Sequence, residues 1–561
     1  MYKTAYQENA NGLKKSDIVL KNGTIVNVFT EELIQADVAI CGDMIVGIGK
    51  YEGENEIDCT GKFIAPGLID AHMHIESSML TPQELSKVLV MAGTTTIVAD
   101  PHEIVNVSGA EGLEYFLECS KEMLTNTFFM IPSSVPATDE DTNGAGEFLA
   151  KDMEPFVGRE GVIGLGETMR FMDVCDGESR MSDKLKLFAD KHIDGHAPGI
   201  TGKSVQAYRL AGVENDHECA HREEMLEKMR AGFSILIREG SGAKNLEELV
   251  TTLLEEKLPM DQCGFCTDDK HVEEIIKDGH ISTCVRKAIQ LGVPTAKAYK
   301  MASIQTARMF DLKHIGAVAA GFKADLMIMD DVNDVRPSMM IKGGRLVVDT
   351  VLSNHAYIRP SAKLMDTVHF ETITSDKLKL ECCRGDKTGV IKMQPHQLLT
   401  TYEEMEVPVE SGAFRSDAKF NKICVVERHG KNGKIGVAPI LGFGIQHGAI
   451  ATSVSHDSHN VIAAGDNDED IVLAVNALKE SKGGYVIASQ GKVLQTLPLP
   501  ISGLLSDLSY QELVSRLEDM MKTARRLGVQ EDADPFITLS FMALTVIPEV
   551  RITERGLARV I

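Results

Sequence analysis

Two histidines separated by one residue, His72 and His74, follow an apolar run in the stretch LIDAHMHIESSML at residues 68–80. Because residues i and i+2 of a β-strand point to the same face, this spacing predicts that His72, His74 and Glu76 share one face where a strand ends. Imidazole and carboxylate groups placed in this way would bind a divalent metal ion. A polar, solvated strand end has the same pattern, so this stretch alone leaves both interpretations open.

Ionisable side chains also follow other apolar runs of the central region. Between residues 63 and 310, such runs alternate with amphipathic stretches such as NLEELVTTLLEEK. Eight strands alternating with helices over about 250 residues are typical of a (β/α)8 barrel, a TIM-like barrel whose active site lies at the carboxyl ends of the strands. The candidate metal ligands at these ends are His72 and His74 after the first strand, Glu167 after the fourth, His196 after the fifth, His217 after the sixth and Asp268 after the eighth.

The position of Glu167 indicates how many metal ions this set would hold. A carboxylate on the fourth strand can bridge two metal ions about 3.5–4 Å apart, which is the spacing of two-metal hydrolytic sites. The set therefore predicts a binuclear centre, and its nitrogen and oxygen ligands suit Mn, Fe or Zn.

The regions on both sides of the barrel are rich in short alternating apolar runs. LKNGTIV at residues 20–26 is similar to IKGGRLV at residues 341–347, so we expect the two regions to form one β-sandwich. Within the first region, Asn22-Gly23 and Gly42-Asp43 are typical of hairpin turns. The pattern beyond residue 365 predicts a C-terminal α+β domain. The predicted α/β architecture thus comprises a sandwich segment (1–65), a barrel (66–312), a sandwich return segment (313–365) and an α+β domain (366–561).

Bulk composition excludes several classes of partner. The 561 residues carry a formal net charge of -24, which is unfavourable for binding nucleic acid through its phosphates. There is no apolar run long enough to span a membrane. The N-terminal stretch lacks the apolar core of a signal peptide. Eleven cysteines are scattered without the spacing of a disulfide framework, so we expect a cytoplasmic protein that binds neither nucleic acid nor membranes.

Longer motifs resemble those of bacterial-type adenine deaminases in the amidohydrolase superfamily. The resemblance extends over essentially the whole chain and rests on PGLIDAHMHIESSM, ADPHEIVNV, GLGETM, DGHAPG, ENDHE, REGS, FCTDD and SHDSHN. Several members of the superfamily use a carboxylated lysine on the fourth strand, whereas this sequence has Glu167 there. This difference agrees with the adenine deaminase pattern and weakens a hydantoinase or dihydroorotase assignment. The alternatives are another C–N hydrolase, such as a cyclic amidase, and a catalytically silent scaffold barrel.

The resemblance implies that adenine is deaminated hydrolytically to hypoxanthine and ammonia, in purine salvage, by a metal-activated hydroxide. It favours two divalent metal ions, with Mn first and Fe or Zn as alternatives. Asp268 would accept the proton of the water and pass it on, a role that typically contributes about 10²–10⁴-fold to the rate. His217 would help to polarise the reacting centre. We also expect a homo-oligomer, most simply a dimer.

Further polar residues are candidates for binding adenine. They lie after predicted barrel strands or in the SHDSHN motif, and they are Glu76, Asp100, Glu103, Glu239, His456 and Asp457. The SHDSHN motif would contribute to the site if it folded over the barrel mouth. It would contribute nothing if it formed a local turn of the C-terminal domain, and the sequence does not choose between the two.

Overall fold

The computed structural model describes residues 6–353, 356–394, 400–417, 419–529, 534–547 and 549–560. Its helices are α1 (Gln7–Ala10), α2 (Pro82–Met91), α3 (His102–Ser120), α4 (Ala150–Met153), α5 (Phe171–Asp176), α6 (Ser179–Leu187), α7 (Lys203–Leu210), α8 (Arg222–Arg230), α9 (Leu246–Glu255), α10 (Val272–Asp278), α11 (Ile281–Leu291), α12 (Thr295–Lys300), α13 (Thr306–Met309), α14 (Asp349–Ser353), α15 (Asp468–Glu480), α16 (Tyr510–Arg526) and α17 (Pro535–Phe541). Within these described ranges, no helix combines the length and the apolar character needed to cross a lipid bilayer.

The strands before and within the barrel region are β1 (Ser16–Asn27), β2 (Glu32–Cys41), β3 (Met44–Gly49), β4 (Gly53–Asp58), β5 (Phe63–Pro66), β6 (Leu68–Met73), β7 (Thr94–Ala99), β8 (Asn126–Ile131), β9 (Val162–Leu165), β10 (His192–Ile193), β11 (Asn215–Asp216), β12 (Ser234–Arg238) and β13 (Cys263–Cys266). Those that follow are β14 (Leu326–Met329), β15 (Met339–Lys342), β16 (Arg345–Leu346), β17 (Lys387–Met393), β18 (Thr400–Glu406), β19 (Val409–Glu410), β20 (Ala413–Phe414), β21 (Phe420–Val426), β22 (Ile435–Leu441), β23 (Ala449–Thr452), β24 (Val461–Gly465), β25 (Gly484–Ser489), β26 (Lys492–Pro498), β27 (Val550–Thr553) and β28 (Gly556–Arg559).

The barrel consists of the parallel strands β6 to β13, which alternate with helices as predicted. Backbone pairing divides the strands into a five-stranded group, β10-β9-β8-β7-β6, and a three-stranded group, β11-β12-β13. The ring closes between β13 and β6, where Asp268 N donates to His72 O at 3.0 Å and His74 N donates to Asp268 O at 3.2 Å. At the second seam, between β10 and β11, Glu214 N donates to Ile193 O at 3.0 Å. Both seams end close to predicted ligands.

The segments before and after the barrel share one eight-stranded sheet, in the order β16-β15-β14-β5-β1-β2-β3 with β4 also paired to β1. Strand β14, which follows the barrel, runs antiparallel to β5, which precedes it. Side chains from both segments, among them Ile25, Ile64 and Leu326, are fully buried in a common core. The expected return of the chain to the early strands is therefore confirmed, while the four segment boundaries stay predictions.

Asn22-Gly23 forms a β-bulge inside β1, so its interpretation as a hairpin turn was wrong. The register with β2 shifts at this point, and Asn22 has a φ of 60°. Strand β1 pairs with β4 before the bulge and with β5 after it. A Cβ at Gly23 would collide with the side chain of Ile64, so glycine permits the close approach of β5. Gly42-Asp43 is the turn between β2 and β3, as predicted.

The C-terminal domain has a second eight-stranded sheet, in the order β18-β17-β22-β21-β24-β23-β25-β26. Helix α15 covers one face, where Ile471 and Val475 pack with Val461 and Val486. On the other face, α16 contacts β25 and β26 and also reaches α2 and α10 of the barrel, while α17 contacts β23 and β24. The predicted α+β domain is thus confirmed, and its helical face is the one that meets the barrel.

Candidate metal centre

The two histidines after β6 are held by their Nδ1 atoms. His72 Nδ1 lies 2.8 Å from Asp194 Oδ2, and His74 Nδ1 lies 2.9 Å from the backbone oxygen of Asp100. Because an oxygen acceptor at Nδ1 holds a proton there, Nε2 of each ring is the nitrogen that can bind a metal ion once its own proton is displaced. His72 Nε2 is buried without a hydrogen-bond partner among the described residues. A buried, unpartnered nitrogen of this kind is what a metal ligand requires.

Glu167, after β9, presents its two oxygens to different histidines. Oε1 lies 3.4 Å from His74 Nε2 and 3.9 Å from His72 Nε2. Oε2 lies 2.6 Å from His196 Nδ1 and 3.2 Å from His217 Nε2. The carboxylate is buried and spans both pairs of imidazoles. Two adjacent groups of donor atoms result, each compact enough for a metal ion: His72, His74 and Glu167, and Glu167, His196 and His217.

Asp268 completes the cluster from the end of β13. Its Oδ1 lies 2.9 Å from His74 Nε2, and its Oδ2 accepts from Arg238 Nη1 at 2.8 Å. Arg238 also pairs with Glu218, a partly buried carboxylate 3.7 Å from both His196 Nδ1 and His217 Nε2. Although burial alone would raise the pKa of Asp268, His74 and Arg238 hold it well below its usual range. Asp268 is therefore an ionised carboxylate that is available as a proton acceptor.

The electrostatic balance of the cluster favours cations. Burial by itself would lower the pKa of His72, but the carboxylates of Asp194 and Glu167 raise it to about 9. The pKa of His74 is likewise raised well above its usual value, with Asp268 and Glu167 opposing burial. The buried carboxylates around these imidazoles attract positive charge. A divalent metal ion can therefore displace the protons that the imidazoles would otherwise hold. The chemistry of the donors therefore suits a divalent metal.

Glu76 does not lie on the strand, because β6 ends at Met73 and a 3-10 turn, Ile75–Ser78, carries the glutamate. Its Oε1 accepts from Ile104 N at 2.9 Å, and its Oε2 is buried without a hydrogen-bond partner in the described structure. Burial raises the pKa of this carboxyl to about 7. Glu76 thus keeps one oxygen for a donor, although the alternation of a strand does not place it.

Asp100, His102 and Glu239 have different relations to the cluster. Asp100 Oδ2 accepts from Glu167 N at 2.9 Å, so it holds the backbone of a candidate ligand. His102, which was not a candidate site residue from the sequence, places Nδ1 3.1 Å from Glu167 Oε1. Glu239 pairs instead with Lys287, and no described contact joins it to a candidate ligand.

The SHDSHN motif folds onto the barrel. Glu103, at the start of α3, contacts His456 Nδ1 with one carboxylate oxygen and His459 Nε2 with the other. Ser455 N donates to His459 Nδ1 at 3.1 Å, so Nε2 of that ring carries the proton and donates to Glu103. A local turn confined to the C-terminal domain is therefore excluded. The three residues form a hydrogen-bonded clamp between the two domains, which we call the Glu103 clamp.

The clamp brings Asp457 to the barrel mouth. Asp457 Oδ1 lies 3.8 Å from His102 Nε2, and its Oδ2 is buried without a hydrogen-bond partner in the described residues. A cavity of about 20 Å3, room for about one water molecule, lies between the barrel loops and the C-terminal domain. Glu76 and Asp269 line it from the barrel, and His456 and Phe541 line it from the C-terminal domain. The C-terminal domain therefore forms part of the wall of this cavity.

Four residues around the cluster were missed from the sequence, and three of them are fully buried or nearly so. Asp194 orients His72, Glu218 pairs with Arg238, His102 faces Glu167, and Lys228 pairs with Asp216. His102 lies in the stretch ADPHEI and Glu218 in ENDHE, and both stretches belong to the motifs that resemble adenine deaminases. Lys228 lies within α8, where a lysine looks like part of a solvated face, so no local signal indicated it.

Comparisons with known proteins show which family the chain belongs to. Residues 63–354 match the Amidohydrolase family, and residues 397–561 match the Adenine deaminase C-terminal domain. A protein of Desulfitobacterium hafniense (strain Y51) named adenine deaminase is 46% identical over 547 residues, covering 97% of this chain and 95% of its own. A Clostridium acetobutylicum protein of the same name is 43% identical over 563 residues, covering 99% and 98%. A solved structure titled as an adenine deaminase covers 59% of this chain and all of its own, with 17% identity and a TM-score of 0.45.

The barrel and its donor set define an amidohydrolase, which the family match over more than half of the chain confirms. Full-length similarity to the curated relatives narrows this class, because it includes the C-terminal domain as well as the barrel. The chain belongs to the adenine deaminase family.

Proposed function

We propose that this protein is a metal-dependent adenine deaminase, which converts adenine and water to hypoxanthine and ammonia in purine salvage. One observation carries the proposal: in a chain similar over its full length to adenine deaminases, Glu167 presents one oxygen to His74 and the other to His196. Glutamate at this position also disfavours the cyclic amidase alternative, since a carboxylated lysine is expected there.

We infer that the centre is binuclear. One metal ion would be held by His72, His74 and Glu167, with Asp268 beside it, and the second by Glu167, His196 and His217. Mn is our first choice and Fe or Zn are alternatives, because all three accept nitrogen and oxygen ligands. Bound there, the metal ions would lower the pKa of a water molecule towards neutrality.

The protein's own residues would move the proton and orient the reactants. Asp268 would accept a proton from the attacking water and deliver it to the departing amino nitrogen, while the C6–O bond forms and the C6–N bond breaks. Arg238 supports this role, since its ion pair at 2.8 Å keeps Asp268 ionised and fixed. We assign to His217 a part in polarising the tetrahedral centre at C6.

The residues proposed to bind adenine fall into three groups. Glu76, Asp100 and Asp457 each retain a buried oxygen without a hydrogen-bond partner in the described structure, so they would accept from the N–H groups of adenine. Asp100 would also hold Glu167 in place through its other oxygen. The polar atoms of Glu103 and His456 bond to each other, so we propose that they contribute by holding the acceptors in place. Glu239 has the least support, because its carboxylate is engaged by Lys287.

We also propose a cytoplasmic homodimer. All eleven cysteines are free, which is consistent with a reducing compartment. Size-exclusion chromatography with light scattering measures the oligomeric state, and a mass of one chain would contradict the dimer.

An ammonia-release assay on metal-free protein tests the function. Mn, Fe and Zn would each be added back, and free bases, nucleosides and hydantoin-type rings would be offered as substrates. We expect ammonia from adenine in the presence of added metal. Ring opening of hydantoin without ammonia from adenine would instead identify a cyclic amidase.

A further inference from the structure

His196 and His217 lie at the weaker seam of the barrel. They follow β10 and β11, which belong to different hydrogen-bonded groups of strands. In the described structure, the backbone hydrogen bond across this seam runs from Glu214 N to Ile193 O. Each of these residues lies three positions before the histidine that follows it. Backbone pairing of strands therefore does not fix the distance between these two imidazoles, although both must face Glu167 Oε2.

A buried ion pair between Lys228 and Asp216 connects the two chain segments that carry these histidines. Lys228, on α8, donates to Asp216 Oδ1 at 2.8 Å and to the backbone oxygen of Ala197 at 2.7 Å. Asp216 Oδ2 accepts from Ala197 N at 3.0 Å, and its Oδ1 accepts from Glu218 N at 2.9 Å. Ala197 directly follows His196, and Asp216 and Glu218 flank His217. The pair thus fastens the chain beside both histidines.

The charges of the pair are well compensated. Both side chains are fully buried, with no exposed surface. Burial alone would lower the pKa of Lys228, but Asp216 raises it above its usual value. The pKa of Asp216 is lowered, because Lys228 outweighs the effect of burial. Lys228 also donates to Glu224 at 2.8 Å. The pair is therefore ionised at neutral pH and holds its geometry through charged hydrogen bonds.

The first pair of histidines is held differently. Oxygen acceptors orient the rings of His72 and His74 directly, as described above. His217 Nδ1, in contrast, has no hydrogen-bond partner in the described structure. Apart from Nε2, which faces Glu167 and His196, the ring of His217 is positioned by its backbone and by its packing on His72, where the ring centroids are 4.0 Å apart.

We propose that the buried Lys228–Asp216 pair is a positioning element that sets the spacing of His196 and His217, and so the affinity of the metal position they form with Glu167. This inference rests on the proposed binuclear function. It predicts that loss of the pair affects one metal position and spares the position of His72 and His74.

Titration of metal-free protein with Mn2+ tests this selectivity. Removing residues that orient metal ligands typically weakens metal affinity about 10–100-fold. We expect the wild type to bind two equivalents, and Lys228→Met to bind one with wild-type affinity and one about 10–100-fold more weakly. Since Lys228→Met leaves the Asp216 charge buried alone, the double variant Lys228→Met/Asp216→Asn removes both charges and is the safer protein to purify.

Lys422→Met is the matched control. Lys422 is a buried lysine of the C-terminal sheet, 1% exposed and paired with Asp468, and it is remote from the candidate ligands. This variant should bind both equivalents like the wild type. Two equivalents at wild-type affinity in the double variant, or equal weakening of both, would overturn the proposal. So would a double variant that does not fold when Lys422→Met does, because the pair would then be a requirement of the fold. Fewer than two equivalents in the wild type would instead refute the binuclear function.

Discussion

Glu103→Gln tests whether one buried carboxylate holds the C-terminal domain over the barrel mouth. In the wild type, Glu103 accepts from His456 Nδ1 and from His459 Nε2. A glutamine at this position has the same shape but only one acceptor oxygen. Its NH2 group would face the N–H of the second imidazole, so that one contact is lost and two donors oppose each other.

The size of the effect follows from the charge of His456. Burial alone would lower the pKa of this imidazole, but Glu103 raises it to about 9 from an ordinary value of 6.5. At about 1.4 kcal/mol per pKa unit, the contact contributes about 3 kcal/mol. Hydrogen bonds to charged groups independently give about 1.5–3 kcal/mol. We therefore expect the undocked population of the C-terminal domain to rise about 100-fold.

Hydrogen exchange of the backbone amides of residues 455–460 measures this population. Protection factors in Glu103→Gln should fall about 100-fold, and KM for adenine should rise if the docked domain forms the substrate wall. Because the folded pKa of His456 is raised, its contribution is complete below pH 6.5 and is lost as the pH rises through about 9. Wild-type protection should decline over this interval, whereas protection in the variant should change less.

Glu118→Gln provides the control, since Glu118 lies on the same helix and pairs with the exposed Lys121. It should leave both protection and KM unchanged. Wild-type protection of residues 455–460 in Glu103→Gln would show that Glu103 does not hold the C-terminal domain in place. An equal loss of protection in Glu118→Gln would show the same.

Three further predictions concern the metal centre and the core beside it. His72→Ala and Glu167→Ala should each abolish ammonia release and lose bound metal while far-UV circular dichroism stays unchanged, because the ligands lie at strand ends; near-normal release with retained metal would contradict the assignment. Asp268→Asn should retain metal but lower kcat about 10²–10⁴-fold, and a loss below tenfold would point to another base. His280 is buried beside Thr94 and Thr267, and burial holds its pKa well below 6.5. Below pH 6.5 the unfolded state binds a proton at this imidazole that the folded state does not bind. The free energy of unfolding therefore decreases as the pH drops below 6.5, by about 1.4 kcal/mol at pH 5.5. His280→Asn should show a smaller loss in calorimetry between pH 7.5 and 5.5, and an equal loss would contradict this.

The barrel and the six candidate ligands were predictable because their signals are local. Each strand is an apolar run that ends in ionisable residues, and the geometry of a parallel barrel brings those ends together. The order of the strands then assigned Glu167 a position between the first pair of histidines and His196 with His217.

Other features depend on contacts between distant parts of the chain. Asn22-Gly23 can adopt a positive φ both in a hairpin turn and in a β-bulge, so the sequence fits either structure. The bulge forms because the side chain of Ile64, on β5, packs against Gly23. In the Glu103 clamp, Glu103 is separated along the chain from His456 by 353 positions and from His459 by 356 positions. The SHDSHN motif alone therefore could not reveal its partner. Glu76 shows a limit of strand periodicity, since the rule fails once the strand has ended at Met73.

Deamination of adenine by this protein should require metal held by these ligands. The most direct measurement is hypoxanthine formation from adenine by metal-free protein to which Mn2+ is added in steps from zero to three equivalents per chain. We expect no turnover without metal and a maximum at two equivalents. Full turnover by the metal-free protein, or none at any metal content, would contradict it.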